Sequence, residues 1–167
     1  MAFNKSQKLN TTYLLLGSNM GNPHQKLVQA TRFISKEIGP IIRSSSIYST
    51  KAWGNTQQPD FLNQVIIVST KLDPQKTISA IFKIEQKMGR IRTIKNAPRL
   101  IDIDILFFNK EIITSVELTI PHPLMQERRF VMTPLNELSP NLKHPVLNKS
   151  VHKILKSCKD KLTVNKI

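Results

Sequence analysis

A single cysteine, Cys158, leaves this chain of 167 residues unable to form an internal disulfide. One thiol fits a reducing compartment, and Cys158 reads as a small apolar residue of a C-terminal helix rather than as a nucleophile. No stretch reaches the ~18 apolar residues of a membrane span, and the opening MAFNKSQKLNTT lacks the apolar segment of a signal peptide. These absences predict a cytoplasmic protein with no membrane partner. Missing too are the phosphate loop GxxxxGK(S/T) and the dinucleotide fingerprint GxGxxG. Acids are scarce: 11 Asp and Glu face 25 Lys and Arg, for a net charge of +14. Such a balance favours an anionic partner, either nucleic acid or a small polyphosphate. Lysines are spread along the whole chain, including the tail from Lys143 to Lys166, whereas several arginines cluster between Arg90 and Arg129. The clustering carries more weight, because guanidinium forks suit fixed phosphate oxygens.

What is present describes an ordinary folded domain, with 40% hydrophobic and 22% charged residues. Residues 1–10 read as a disordered leader and 11–167 as one domain, with no internal repeat or linker. TYLLLGSN (12–19) predicts a strand. A helix follows, with Asn22 as N-cap, Pro23 at its first position, Gly39 past its end and a stripe of Leu27, Ala30, Phe33, Ile34 and Ile38. Strands are expected at 41–49 and 61–70, separated by the polar loop KAWGNTQQPD, which carries Trp53. Asp73 and Pro74 open a second helix whose stripe is Ile78, Ile81, Phe82 and Met88 and whose end is Gly89. FFNKEIIT (107–114) predicts a hairpin return turning at Asn109 and Lys110. A short helical region through Asn136 and a C-terminal helix bearing Val151, Ile154, Leu155, Cys158 and Leu162 complete the order. This βαββαββαα order is that of an α+β sandwich, largely antiparallel and ferredoxin-like.

The stretch APRLIDIDIL (97–106) reads as a buried strand interrupted by two acids. Side chains two apart share a face, so Asp102 and Asp104 are expected beside Leu100 and Leu106, with Ile101, Ile103, Ile105 and Phe107 opposite. Two carboxylates roughly 7 Å apart and partly removed from water demand a cation. Two compensators stand open. One is a protein ion-pair network drawn from Arg90, Arg92, Lys95 and Arg99. The other is Mg²⁺, which takes oxygen ligands and completes its shell with water and substrate phosphates. Joined to such a metal pair, the segment MGRIRTIKNAPR (88–99), which has no acid of its own, becomes a phosphate clamp rather than solvated loop charge.

Other positions carry two readings each. GSNMGN (17–22) is either an anion-facing loop or a plain strand-to-helix turn. His122, flanked by prolines and followed by Arg128 and Arg129, is a structural histidine or a donor to phosphate; Glu85 is a surface charge or part of the site. Phe61 and Asn63 share a strand face and Phe130 follows the His/Arg segment, which makes them core residues or plates and an amide for a flat heterocycle.

KNAPRLIDIDIL resembles the signature of the 6-hydroxymethyl-7,8-dihydropterin pyrophosphokinase family. The likeness extends, in the family's order, to LLLGSN, to Tyr48 and Thr50 followed by QPDFLN, to IEQKMGRIR and to PHPLMQERRFVMTPL, covering about Thr12 to Leu138. The resemblance implies a ferredoxin-like α/β/α fold. It also implies transfer of the β,γ-diphosphate of ATP to the pterin hydroxymethyl oxygen, with two Mg²⁺ ions and release of AMP. Asp102 and Asp104 then correspond to the metal ligands, and Arg90 and Arg92 to catalytic arginines over the triphosphate. Lys95, Arg99, His122 and Arg128 correspond to further ATP contacts, and Glu85, Ile105 and Thr119 fall where adenosine is held. Gly17, Thr50, Asn63, Ala52 and Trp53 fall around the pterin edge, with Phe61 and Phe130 as its stacking pair. Two departures stand out: Asn96 replaces a frequent aromatic residue, and Lys95 a frequent arginine, which keeps charge but loses the bidentate fork. The partners implied are small molecules, acting on a monomer. The rival from another class is a basic ferredoxin-like nucleic-acid-binding module, in which the acid pair would repel phosphate.

Overall fold

The structure, a computed structural model, describes residues 8–52, 57–91 and 98–167. Strand β1 (Asn10–Ser18) begins inside the stretch read as a leader, whose residues 1–7 lie outside the described residues. Helix α1 (Pro23–Glu37) starts as expected, with the Asn22 side chain accepting the Gln25 N–H at 3.1 Å. A cap of this kind is worth about 1 kcal/mol. The expected strand at 41–49 divides into β2 (Ile41–Ser44) and β3 (Tyr48–Thr50), both antiparallel to β4 (Phe61–Thr70). Ser45 makes the break: its N–H still donates to Val65 O, but its Oγ takes the place of a main-chain carbonyl in accepting the Val65 N–H. Helix α2 (Pro74–Lys87) is capped by Asp73, and the acidic strand is β5 (Asp102–Phe108).

All strand pairs are antiparallel, and the main sheet runs β5-β1-β4-β3 before its last strand. With β2 and β3 counted as one interrupted strand, this is the order of a ferredoxin-like sheet. The expected hairpin return of 107–114 onto β5 is not formed. Instead β6 (Ile113–Thr114) pairs with β7 (Thr119–Ile120) as a separate ribbon. Asn109 turns the chain with a positive φ of 49°. A 3₁₀ turn (Met125–Glu127), α3 (Arg129–Leu138) and α4 (Val151–Ser157) follow. The C-terminal helix therefore ends before Leu162, and the tail forms β8 (Val164–Lys166), antiparallel to β3. Among the described residues, no helix is long and apolar enough to cross a membrane.

Strand alternation separates two cores and makes three layers. Leu14, Leu16, Ile66, Val68, Ile103 and Ile105 pack under α1 and α2 with Leu27, Ala30, Ile34, Ile81 and Ile84. On the opposite face Leu15, Val65, Ile67, Leu106 and Phe107 pack under α3 and α4 with Met132, Leu135, Val151 and Ile154. Phe107 departs from simple alternation. The β1/β5 register slips by one residue between Tyr13 and Leu14, so Leu106 and Phe107 both face α3 and α4 and Phe108 turns to the other core. The α2 stripe departs too: Ile84 is fully buried and Phe82 is 37% exposed. The same strands leave one region open. Gly17, Phe61, Asn63, Asp102 and Asp104 lie on the α3/α4 face, at the strand ends that those helices do not cover.

This assignment of Ile84 and Phe82 predicts unequal substitutions. Ile84→Ala should cost about 2–5 kcal/mol in urea unfolding through the cavity it leaves, and Phe82→Ala no more than about 1 kcal/mol. Equal losses would contradict the packing.

Candidate functional site

The uncovered strand ends form the floor of a cleft of about 480 Å³. One end is built from β1, β3 and β4. Gly17 on β1 lies opposite Asn63 on β4, which also pairs with Tyr48, and Thr50 lies opposite Phe61. Asn63 is 3% exposed, and its Nδ2 donates to Thr50 Oγ1 at 3.0 Å. Gly17 makes this approach possible, since a Cβ there would stand 3.1 Å from Asn63 Oδ1 and 4.0 Å from the Phe61 ring. Phe61, Asn63, Thr50, Ala52 and Phe130 all line the cleft, and Phe130 also packs against the α3/α4 core from the cleft wall. Their rings do not contact each other. The Arg128 guanidinium lies 5.9 Å from the Phe130 ring centroid. Trp53 lies outside the described residues.

The other end gathers charge around β5. Asp102 receives hydrogen bonds from Arg90 through Oδ1 and from Arg99 through Oδ2. Arg90 also donates to Glu85 Oε1, which accepts the Ile103 N–H at 2.9 Å. The arginine segment thus finds its acids on α2 and β5, and the protein ion-pair reading holds for Asp102. Arg92, Lys95 and Asn96 lie outside the described residues. Glu85 is no surface charge: it is 2% exposed, lies outside the cleft wall and ties Arg90 to the strand.

Asp104 differs. Among the described residues its carboxylate has neither a hydrogen bond nor an ion pair. Burial, then the charges of Asp102 and Glu85, push its carboxyl up to about 7, against the opposing pull of Arg128 and Arg99. A carboxylate in such surroundings calls for a proton or a cation beside it. The pair on one face, oxygen-only and still short of positive charge at Asp104, fits a hard divalent metal whose remaining ligands come from water or phosphate. Two side chains alone make no closed metal cage, and among the described residues no cluster of three or more acidic, histidine or cysteine ligands occurs.

Past the edge of β5 the cleft continues between Ile78 and Phe82 of α2 and the Val116–Thr119 segment of the ribbon. Ile105 lines it while its side chain sits in the α1/α2 core, so the main chain supplies the contact. His122 and Arg128 close the far wall. The His122 main chain is fixed by its N–H to Leu106 O at 3.1 Å, and its Nδ1 accepts the Leu124 N–H at 3.2 Å. With Nδ1 occupied, the neutral ring carries its proton on Nε2 and remains a donor.

Every sequence-derived site residue within the described part therefore reaches the cleft except Glu85. Sequence reasoning missed Asn19, Gln58, Phe82 and Val116. Asn19 stood in the GSN motif, but nothing local reveals bonds that cross 39 to 80 residues.

The histidine yields a pH prediction. Burial, then the Arg128 charge, lowers His122 to about 4 from the usual 6.5. The unfolded chain thus binds more protons between these values, so His122's contribution to stability is full above about pH 6.5 and is lost as the pH falls towards 4. Imidazole NMR titration should find the midpoint near 4, and Arg128→Met should move it upwards; a midpoint near 6.5 would contradict this environment.

Comparison with known proteins agrees with the geometry. Residues 13–140 match the family model for 7,8-dihydro-6-hydroxymethylpterin-pyrophosphokinase (HPPK). A 2-amino-4-hydroxy-6-hydroxymethyldihydropteridine pyrophosphokinase of Aquifex aeolicus is 40% identical over 139 residues, which is 83% of this chain and 86% of that protein. The folic acid synthesis protein FOL1 of Dictyostelium discoideum is 41% identical over 140 residues, covering 83% of this chain, which spans only 21% of that longer protein. The HPPK-DHPS of Plasmodium falciparum, in a crystal structure with pteroate, superposes with a TM-score of 0.74 at 18% identity. That match covers 90% of this chain and 42% of the Plasmodium chain, and it bears on the fold. With a family model spanning most of its length and a near-full-length relative at this identity, the chain belongs to the HPPK family.

Proposed function

We propose that the protein transfers the β,γ-diphosphate of ATP to the hydroxymethyl oxygen of 6-hydroxymethyl-7,8-dihydropterin, giving AMP and the pterin diphosphate ester in folate biosynthesis. The observation that carries this reading is the division of one cleft. A carboxylate and guanidinium cluster occupies one end, and an amide with two phenylalanines the other.

The hydroxymethyl oxygen attacks the β-phosphorus and forms the new P–O bond. The bond between that phosphorus and the α,β-bridging oxygen breaks, AMP carries away its electron pair, and the hydroxyl proton passes to water. No side chain is required as a strong base, since positioning and electrostatics dominate phosphoryl transfer. Asp102 and Asp104 would hold two Mg²⁺ ions, which when bound neutralise triphosphate charge and polarise its oxygens.

Arg90 and Arg99, already gathered at Asp102, need only a local shift to meet phosphate oxygens, and Arg92 and Lys95 would add charge from the neighbouring segment. His122 donates through Nε2 without adding a further positive charge, while Arg128 supplies one. Ile105 and Thr119 hold the adenosine through the wall that they share with Val116 and Leu118. Glu85 serves the nucleotide indirectly, by aligning Arg90 and Ile103. At the other end Asn63 and Thr50 hydrogen-bond the heterocycle edge, Gly17, Ala52 and Trp53 border it, and Phe61 and Phe130 flank its faces. A monomer suffices, because both ends of the cleft come from one chain. The single, buried Cys158 supports a cytoplasmic setting. A nucleic-acid-binding role is disfavoured, because Asp102 and Asp104 would face a phosphate backbone.

Asp102→Ala and Asp104→Ala should each lower kcat by about a thousandfold or more with the melting transition preserved. Arg90→Ala should lose about a hundredfold in kcat. Coupled assay of AMP release with Mg²⁺ checks all three, and near-normal turnover in either aspartate variant would contradict the assignment.

A further inference from the structure

Asn19 lies outside the cleft wall and is 3% exposed, yet its side chain joins the segments that shape both ends of the cleft. Its Nδ2 donates to Gln58 Oε1 at 3.1 Å and to the Pro59 carbonyl at 3.2 Å. Its Oδ1 accepts the Arg99 N–H at 2.9 Å. The orientation of the amide is fixed by chemistry, because a carbonyl faces the nitrogen and an N–H faces the oxygen. Two further bonds fasten the Arg99 side: the Asn19 N–H donates to Arg99 O at 3.2 Å, and Ser18 Oγ donates to Leu100 O at 2.6 Å.

Each anchored segment leads directly into one end of the site. Gln58 lines the cleft, and Pro59 stands two residues before Phe61, the first residue of β4. Arg99 hydrogen-bonds Asp102 through its guanidinium, so the placement of its main chain sets where that cation sits. A shift of either segment is therefore felt at the other through one buried side chain.

We propose that Asn19 is a positioning residue that couples the two substrate sites, so that nucleotide bound at the Asp102 end strengthens binding of the heterocycle at the Asn63 end. This rests on the two-substrate reading given under Proposed function. Leaving the amide with all its partners in one arrangement favours the relative placement that both ligands need, and removing it lets the segments adjust independently.

The test is calorimetric titration of the full chain with 6-hydroxymethylpterin, with and without Mg²⁺ and α,β-methylene ATP, whose carbon bridge blocks transfer. The wild type should bind the pterin more tightly with the nucleotide, by a factor in the range of about 5–150. Asn19→Ala should bring that factor to within about twofold of unity while each ligand alone still binds. Asn19→Asp keeps the acceptor for Arg99 and loses both donors to Gln58 and Pro59. It should lose the factor as well, with nucleotide affinity within about threefold of wild type, and it carries the test should the alanine variant not fold. Folded variants that keep the wild-type factor would overturn the inference, even if both affinities fall. A wild type that ignores the pterin, or whose pterin binding ignores nucleotide, would instead count against the two-substrate reading itself.

Discussion

The architecture of the site depends on one electrostatic constraint, the placement of two carboxylates on an edge strand at the margin of the core. Asp102 is neutralised within the protein by Arg90 and Arg99, and Arg90 is held from behind by buried Glu85. Asp104 has no such partner among the described residues and shifts towards its protonated form. An arrangement built only for stability would close this deficit or replace the acids with apolar residues, since buried ion pairs seldom repay their desolvation. A standing deficit beside an open cleft is better suited to a site that completes its charge from a cation and a polyphosphate.

The fold supplies the opening. The α3/α4 face of the sheet is apolar where the helices cover it and polar where they stop, and the change occurs along single strands. Leu15 is followed by Gly17, Val65 is preceded by Asn63, and Leu106 is preceded by Asp104. Three neighbouring strands thus pass from core to site within one step of side-chain alternation. Phe61, Asn63 and the two acids are consequently fixed to the same sheet, with Phe130 brought over it by α3, which suits a reaction in which placement of two substrates does most of the chemical work.

Much of this was legible from the residues. Caps at Asn22 and Asp73 announced both helix starts, and period-two patterning gave β4 its bounds and placed both acids on one face. What stayed hidden was set by distant partners. The break between β2 and β3 follows from Ser45 bonding β4, and the ribbon of β6 and β7 from pairing choices that the turn at Asn109 does not dictate. Phe107 changed faces because a bulge inserted one residue, and β8 is three residues held by pairing with β3 and by contact with α3, both distant in sequence. Helical spacing put Phe82 in the buried stripe of α2 and passed over Ile84, and packing on the sheet reversed that choice. At the site, residue types identified the ends of the cleft, but the inward turn of Glu85 and the bridging amide of Asn19 required the three-dimensional arrangement.

The central claim is that a cleft with acids and arginines at one end and an aromatic-walled amide at the other moves a diphosphate group. Phosphorus NMR of the full chain incubated with ATP, Mg²⁺ and 6-hydroxymethyl-7,8-dihydropterin tests it most directly. The account predicts AMP and a pterin diphosphate ester in equal amounts, with formation dependent on both substrates. Formation of ADP with a pterin monophosphate, or the absence of any pterin-dependent product, would contradict it.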